Sequence, residues 1–170
     1  TQFTDEINAG NFITKGNSAA SCLSLWAQAN IIVPASPEGT GKEGNGVYYQ
    51  DWDFSYIRQV NLMLDNIDKS KMSEEEKKHW RSVGYFFRAY RYLELVSRYG
   101  DVPWIDHVLT ADSEELYAAR TKRDSVTNQI LLDLQYAAKN IRKDGDGSNT
   151  INKNVVNALL SRFGLFEGTW

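Results

Sequence analysis

At 170 residues and 42% hydrophobic content, with a net charge of -3, the chain is long enough to bury a core of its own. Its charges are interspersed, and no basic stripe or basic-aromatic alternation follows the pattern a phosphate backbone demands, which argues against a nucleic-acid partner. The single Cys22 excludes an internal disulfide framework, and no run reaches the roughly 18 apolar residues of a membrane-spanning helix.

Residues 1–50 read as a loop-rich segment. Ala19-Ala20-Ser21-Cys22 resembles a lipoprotein cleavage site, yet the polar stretch Asn11 to Ser18 supplies no apolar core for an export signal, so Cys22 reads as a small buried residue. An apolar patch from Cys22 to Val33, with Trp26 on a short helix, precedes a long loop punctuated by Pro34, Pro37, Gly39, Gly41, Gly44 and Gly46. Loops of that length in a folded domain tend to carry function. Tyr48 and Tyr49 follow it, with rings that could stack on sugar faces while Asn45 or Asp51 bonds hydroxyls. Trp26 and Asn30 have the same two readings, as ligand contacts or as packing.

From Trp52 onward (residues 51–170) the spacing is helical. Trp52, Tyr56, Val60, Met63, Leu64 and Ile67 form one stripe and predict a first helix. Ser73-Glu74-Glu75-Glu76 then offers a capping box for a second helix running to Tyr99, with Gly100 as its left-handed terminus and Pro103 preventing resumption. Val83, Phe86, Phe87, Tyr90 and Leu93 share one side of that helix, and Tyr85, Ala89, Tyr92 and Val96 another. Arg88, Arg91 and Arg98 fill the gap, with Glu94 spaced to pair with Arg98. A third helix, capped by Asp124 or Ser125, buries Val126, Ile130, Leu134, Ala137 and Ile141. After a turn at 144–149, Asn152 caps a fourth helix carrying Val155, Val156, Leu159, Leu160, Phe163 and Phe166. The expected class is all-α, with antiparallel helical hairpins stacked in a tetratricopeptide-like array with long loops.

No constellation points to catalysis, a metal or a cofactor. His79 and His107 lack the two-on-one-face spacing of a zinc helix and have no nucleophile near them in sequence. Asp144-x-Asp146-Gly147 has the outline of a calcium loop, but Val155 stands where a terminal Glu ligand belongs, so turn chemistry explains it. Glu74 to Glu76 are accounted for by the helix start.

Several motifs resemble, in order, the SusD/RagB-like nutrient-binding lipoproteins. They are Trp52-x3-Tyr56-Ile57-Arg58-x2-Asn61, Phe86-Phe87-Arg88-Ala89-Tyr90-x-Tyr92, Tyr99-Gly100-Asp101-Val102-Pro103, Ile130-x2-Asp133-Leu134-x2-Ala137 and Asn157-Ala158-Leu159-Leu160-Ser161-Arg162. Val83-Gly84-Tyr85 departs from the family, which often has Gly-Glu there. The resemblance implies a lipid-anchored protein on the extracellular face of the outer membrane. Such a protein binds glycan or peptide nutrients and passes them to a TonB-dependent, SusC-like transporter, without catalysis. It implies a longer protein of which this chain is the N-terminal part, with the helices as scaffold. No ligand residue carries over by motif, so Trp26, Asn30, Asn45, Tyr48 and Tyr49 stand as site candidates on chemistry alone. A helical-repeat adaptor that binds only protein is the competing expectation.

Overall fold

Ser73 closes the best-defined helix start in the molecule. Its hydroxyl accepts from the Glu76 amide (3.3 Å), and its own amide donates to the Glu76 carboxylate (2.8 Å), forming the expected capping box. The computed structural model describes residues 52–169. The chain divides into two units, Thr1–Asp53 and Phe54–Trp170, and the second is helical. It comprises α1 (Ser55–Ile67), α2 (Glu74–Tyr99), a one-turn 3-10 helix (Glu114–Tyr117), α3 (Arg123–Asn140) and α4 (Lys153–Thr169).

The short connection between α1 and α2 makes them an antiparallel pair, and α3 and α4 form a second. Helix α2 is central, packing most extensively on α3 and next on α1, while α4 lies mainly on α3. Among the described residues the β-structure is a lone bridge between Val102 and Thr121. The expected all-α class of paired helices is what the structure shows.

The core runs through Ile57, Ala89, Tyr92, Leu95 and Val96, then Val102, then the α3 stripe and Val156, Leu159 and Phe163 of α4. All five expected α3 positions are buried, from Val126 to Ile141. Asn152 caps α4 as expected, its side-chain oxygen accepting from the Asn154 and Val155 amides. Gly100 ends α2 at φ 69°, a left-handed conformation suited to glycine, with its amide on the Val96 carbonyl.

Three expectations need correction. Helix α1 starts at Ser55, and its buried residues are Ile57, Asn61 and Ile67, whereas Tyr56 is 64% exposed. The helix is rotated from its most apolar stripe because an asparagine takes the inward position, where its amide has work to do. Arg88, in the gap between the two apolar sides of α2, is buried at 6% exposure. Glu94 is held by Arg91 (3.0 Å), three residues away, in place of the expected Arg98 pairing. Neither Asp124 nor Ser125 caps α3: Lys122 precedes it without a side-chain bond, and the Arg123 amide donates to Asp101 from across the fold (2.8 Å).

Gly84 sits buried in the middle of α2, where helix propensity alone disfavours it. A Cβ there would lie 2.6 Å from the Met63 terminal methyl and 3.0 Å from Leu64 Cδ2, so the missing side chain leaves room for the ends of these two α1 side chains.

Candidate functional site

Three helices each contribute one polar residue to an otherwise apolar layer, and these meet on one loop. Arg88 of α2 donates through Nε and Nη2 to both oxygens of Asp133 on α3 (2.7 and 2.8 Å), a forked and almost fully buried ion pair. Its Nη1 reaches Asn61 Oδ1 of α1 and the Asp106 carbonyl, both at 3.3 Å. The guanidinium also lies over the rings of Tyr85 and Trp104, at 4.9 and 5.1 Å from their centroids. Burial opposes the Arg88 cation, but the bonds and charge of Asp133 outweigh it and raise its pKa. Burial raises the Asp133 carboxyl, and the guanidinium draws it back only in part.

Around this pair the loop after α2 is gripped by its main chain. Asn61 Nδ2 donates to the carbonyls of Ile105 and His107 (3.0 and 3.1 Å). The Tyr92 hydroxyl accepts from the Ile105 amide (2.7 Å) and lies within donating distance of the Pro103 and Ile105 carbonyls. Burial pushes the Tyr92 phenol far up, so it stays a donor. Its ring rests on Trp104, centroids 4.3 Å apart, and the Trp104 amide donates to Thr121 Oγ1. Asp65 of α1 accepts from the Val108 amide. This hub clamps the loop.

Among the described residues, a groove of about 500 Å³ opens between α1 and α2. Tyr56, Val60, Met63, Phe87 and Tyr90 line it, with Gln59 and the Arg91-Glu94 pair at its edge. Tyr56, Val60 and Met63 are the stripe that the sequence pattern assigns to the core. Away from the groove, Tyr117 stands 87% exposed on the 3-10 turn beside the carboxylates of Asp112, Glu114 and Glu115.

The two histidines are held differently. His79 is 1% exposed, tied between a backbone amide and Asp146. His107 is half exposed, and its bond to Asp106 raises its pKa while lowering that of the carboxyl. Among the described residues no group of three or more His, Cys, Asp or Glu is arranged to hold a metal, and no helix is long and apolar enough to cross a membrane.

The candidates Trp26, Asn30, Asn45, Tyr48 and Tyr49 lie outside the described residues, as do Cys22 and the glycine-rich loop. The hub was not foreseen as a unit, although a signal for it exists. Asn61, Arg88 and Asp133 each interrupt a helical stripe one turn after a buried residue, Ile57, Gly84 and Ile130 respectively.

Over residues 4–165 the chain matches the profile of a SusD-like family described as starch-binding and associating with the outer membrane. SusD-like protein P2 of Formosa agariphila is 31% identical over 97 residues, which are 56% of this chain and 19% of that protein. The solved structure of a SusD-like protein from Bacteroides fragilis, at 31% identity, superposes with a TM-score of 0.60 over 65% of this chain and 22% of its own. A SusD-like carbohydrate-binding protein from the same species, at 24% identity, superposes with a TM-score of 0.64 over 81% of this chain and 28% of its own. The chain thus spans less than a third of each of these relatives.

Proposed function

Because the chain belongs to the SusD-like family, we propose that its protein captures oligosaccharides at the cell surface and hands them unchanged to a TonB-dependent, SusC-like transporter in the outer membrane. The observation that carries this reading is the family match over residues 4–165, whose description joins starch binding to the outer membrane. A relative of the same fold is named for carbohydrate binding, which is consistent with it. The helical unit fits the role of scaffold, since Asn61, Arg88, Tyr92 and Asp133 spend their polar groups on holding a loop. Sugar contacts then fall to Trp26, Asn30, Asn45, Tyr48 and Tyr49, where flat rings and amides suit the apolar faces and hydroxyls of a pyranose. The lipid anchor and the extracellular location belong to the same proposal.

Titration calorimetry of the full-length protein with starch oligosaccharides tests it. Binding is expected, and Trp26→Ala, Tyr48→Ala or Tyr49→Ala each weakens it up to about tenfold, the scale of one stacking contact. If peptides bind and no sugar does, the glycan reading fails. The α1-α2 groove favours a second reading, a helical adaptor for protein partners, because its lining is almost wholly apolar. Co-purification separates the two: a membrane transporter supports the first, and a soluble partner with no sugar affinity supports the second.

A further inference from the structure

The connection from α2 to α3, residues 100–122, is far longer than the roughly two to eight residues that ordinarily join paired helices. Its two ends are fastened together. Val102 bridges Thr121, whose amide donates to the Val102 carbonyl (3.1 Å) and whose hydroxyl accepts from the Trp104 amide (3.1 Å). The stretch from Ile105 to Val108 is fixed to α1 and α2 through Asn61, Asp65, Arg88 and Tyr92. The remainder, residues 109–120, is stiffened by its own turns. The Ser113 amide donates to the Thr110 carbonyl, the Ser113 hydroxyl accepts from the Thr110 amide, and the Leu116 and Ala118 amides close the 3-10 turn. On that turn Leu116 is 47% and Tyr117 87% exposed. Among the described residues Tyr117 takes part in no hydrogen bond, ion pair or ring contact. Next to it in the chain is Ala118, which with Asp112, Ser113, Glu114 and Glu115 lines an open hollow of about 620 Å³. No Lys or Arg occurs from Leu109 to Ala119.

We propose that Tyr117 is a stacking contact for a glycan, and that the carboxylates beside it confine this contact to uncharged sugars. That role rests on the glycan reading above, and adds to it a residue of the helical unit and a class of ligand. A flat ring held clear of the surface on a stiff turn suits the apolar face of one pyranose, and little ordering remains to be done on binding. Asp112 and Glu114 are acceptors for the hydroxyls around that face. His107 Nε2 lies 3.8 Å from Glu115, so Asp112 and Glu114 carry the uncompensated charge of the turn. That charge opposes a uronate or a sulfate ester brought to the ring. A protein partner fits less well, because two exposed apolar side chains on one turn fall far short of the core of a stable interface. The mount also acquires a use: burying an ion pair and an asparagine to hold a loop costs desolvation that a plain apolar layer would not.

Titration calorimetry and nuclear magnetic resonance of the full-length protein, carrying isotope-labelled tyrosine, test this with starch oligosaccharides and with oligogalacturonate. The Tyr117 ring signals are assigned by their loss in Tyr117→Phe. The neutral sugar should move them. Tyr117→Ala should weaken its binding about threefold to tenfold, while Tyr117→Phe, which keeps the ring, should hold it within about twofold. The side chain is exposed, so neither change disturbs the helical core. Oligogalacturonate should leave the Tyr117 signals unmoved, and Asp112→Asn combined with Glu114→Gln should let it reach them. Neutral sugar that binds without moving those signals or needing the ring overturns the proposal and leaves the glycan reading standing. Equal response of the unaltered Tyr117 ring to both sugars overturns the restriction to uncharged ligands. If neither sugar binds the protein at all, both readings fall.

Discussion

Arg88 and Asp133 illustrate how much one buried charge constrains its partner. Their side chains are 7% and 8% exposed, so removing the cation strands a carboxylate in the core. Arg88→Met should destabilise the helical unit by about 3–5 kcal/mol in urea unfolding, whereas adding Asp133→Leu to it should recover most of that loss. Arg88→Lys should not rescue, because an ammonium cannot make the forked contact while also reaching Asn61 and the Asp106 carbonyl. Gly84 makes the opposite kind of demand. Gly84→Ala should be close to neutral, since the Met63 methyl it meets ends a flexible side chain and alanine is the better helix former. Gly84→Val adds branches toward Leu64 and should cost about 1–3 kcal/mol by the same measurement. The identity of each of these residues was legible in the sequence, but their roles were not. The partner of Arg88 lies 45 positions away, and no local spacing rule reaches that far.

Helix termini show what local chemistry does settle. The α2 start was readable because all its parts lie within four residues, Ser73 to Glu76. The α3 start was misread because its cap, Asp101, lies 22 residues upstream. Ser73→Ala should cost about 1 kcal/mol, visible as fraying of the first turn of α2 in amide exchange. Acid should act at the same place. The bonds from Ser73 hold the Glu76 carboxyl below its ordinary 4.5. A depressed carboxylate gives stability that is fully present above its unfolded value and is lost as pH falls through the lower folded value. First-turn protection of α2 should therefore decline below about pH 4.5, and Glu76→Gln should flatten that decline. Asp146, held down first by its bond to His79, adds a loss of the same sign in the acid range.

At the scale of the molecule, the number, order and pairing of the helices from Trp52 onward follow from hydrophobic period and caps, and the described residues agree with that reading. The rotation of α1 did not follow. Two adjacent faces of that helix are both apolar enough to be core, and Asn61 decides between them only once the loop carbonyls it serves are in view. The groove of Tyr56, Val60 and Met63 is the visible result of that choice. As for the candidate binding residues before α1, their chemistry was readable, but the described residues do not include them.

The hub touches the loop through the carbonyls of Ile105, Asp106 and His107 and the amide of Ile105, and Asp65 adds the Val108 amide. None of these bonds involves a loop side chain. Past Trp104, whose ring packs on Tyr92 and Arg88, the frame grasps peptide backbone and is indifferent to the letters written on it. Substitutions at His107, Val108 and the residues beyond can accumulate without loosening the grip. The same three-helix mount can then present different surfaces in different descendants, much as one tool handle accepts many heads.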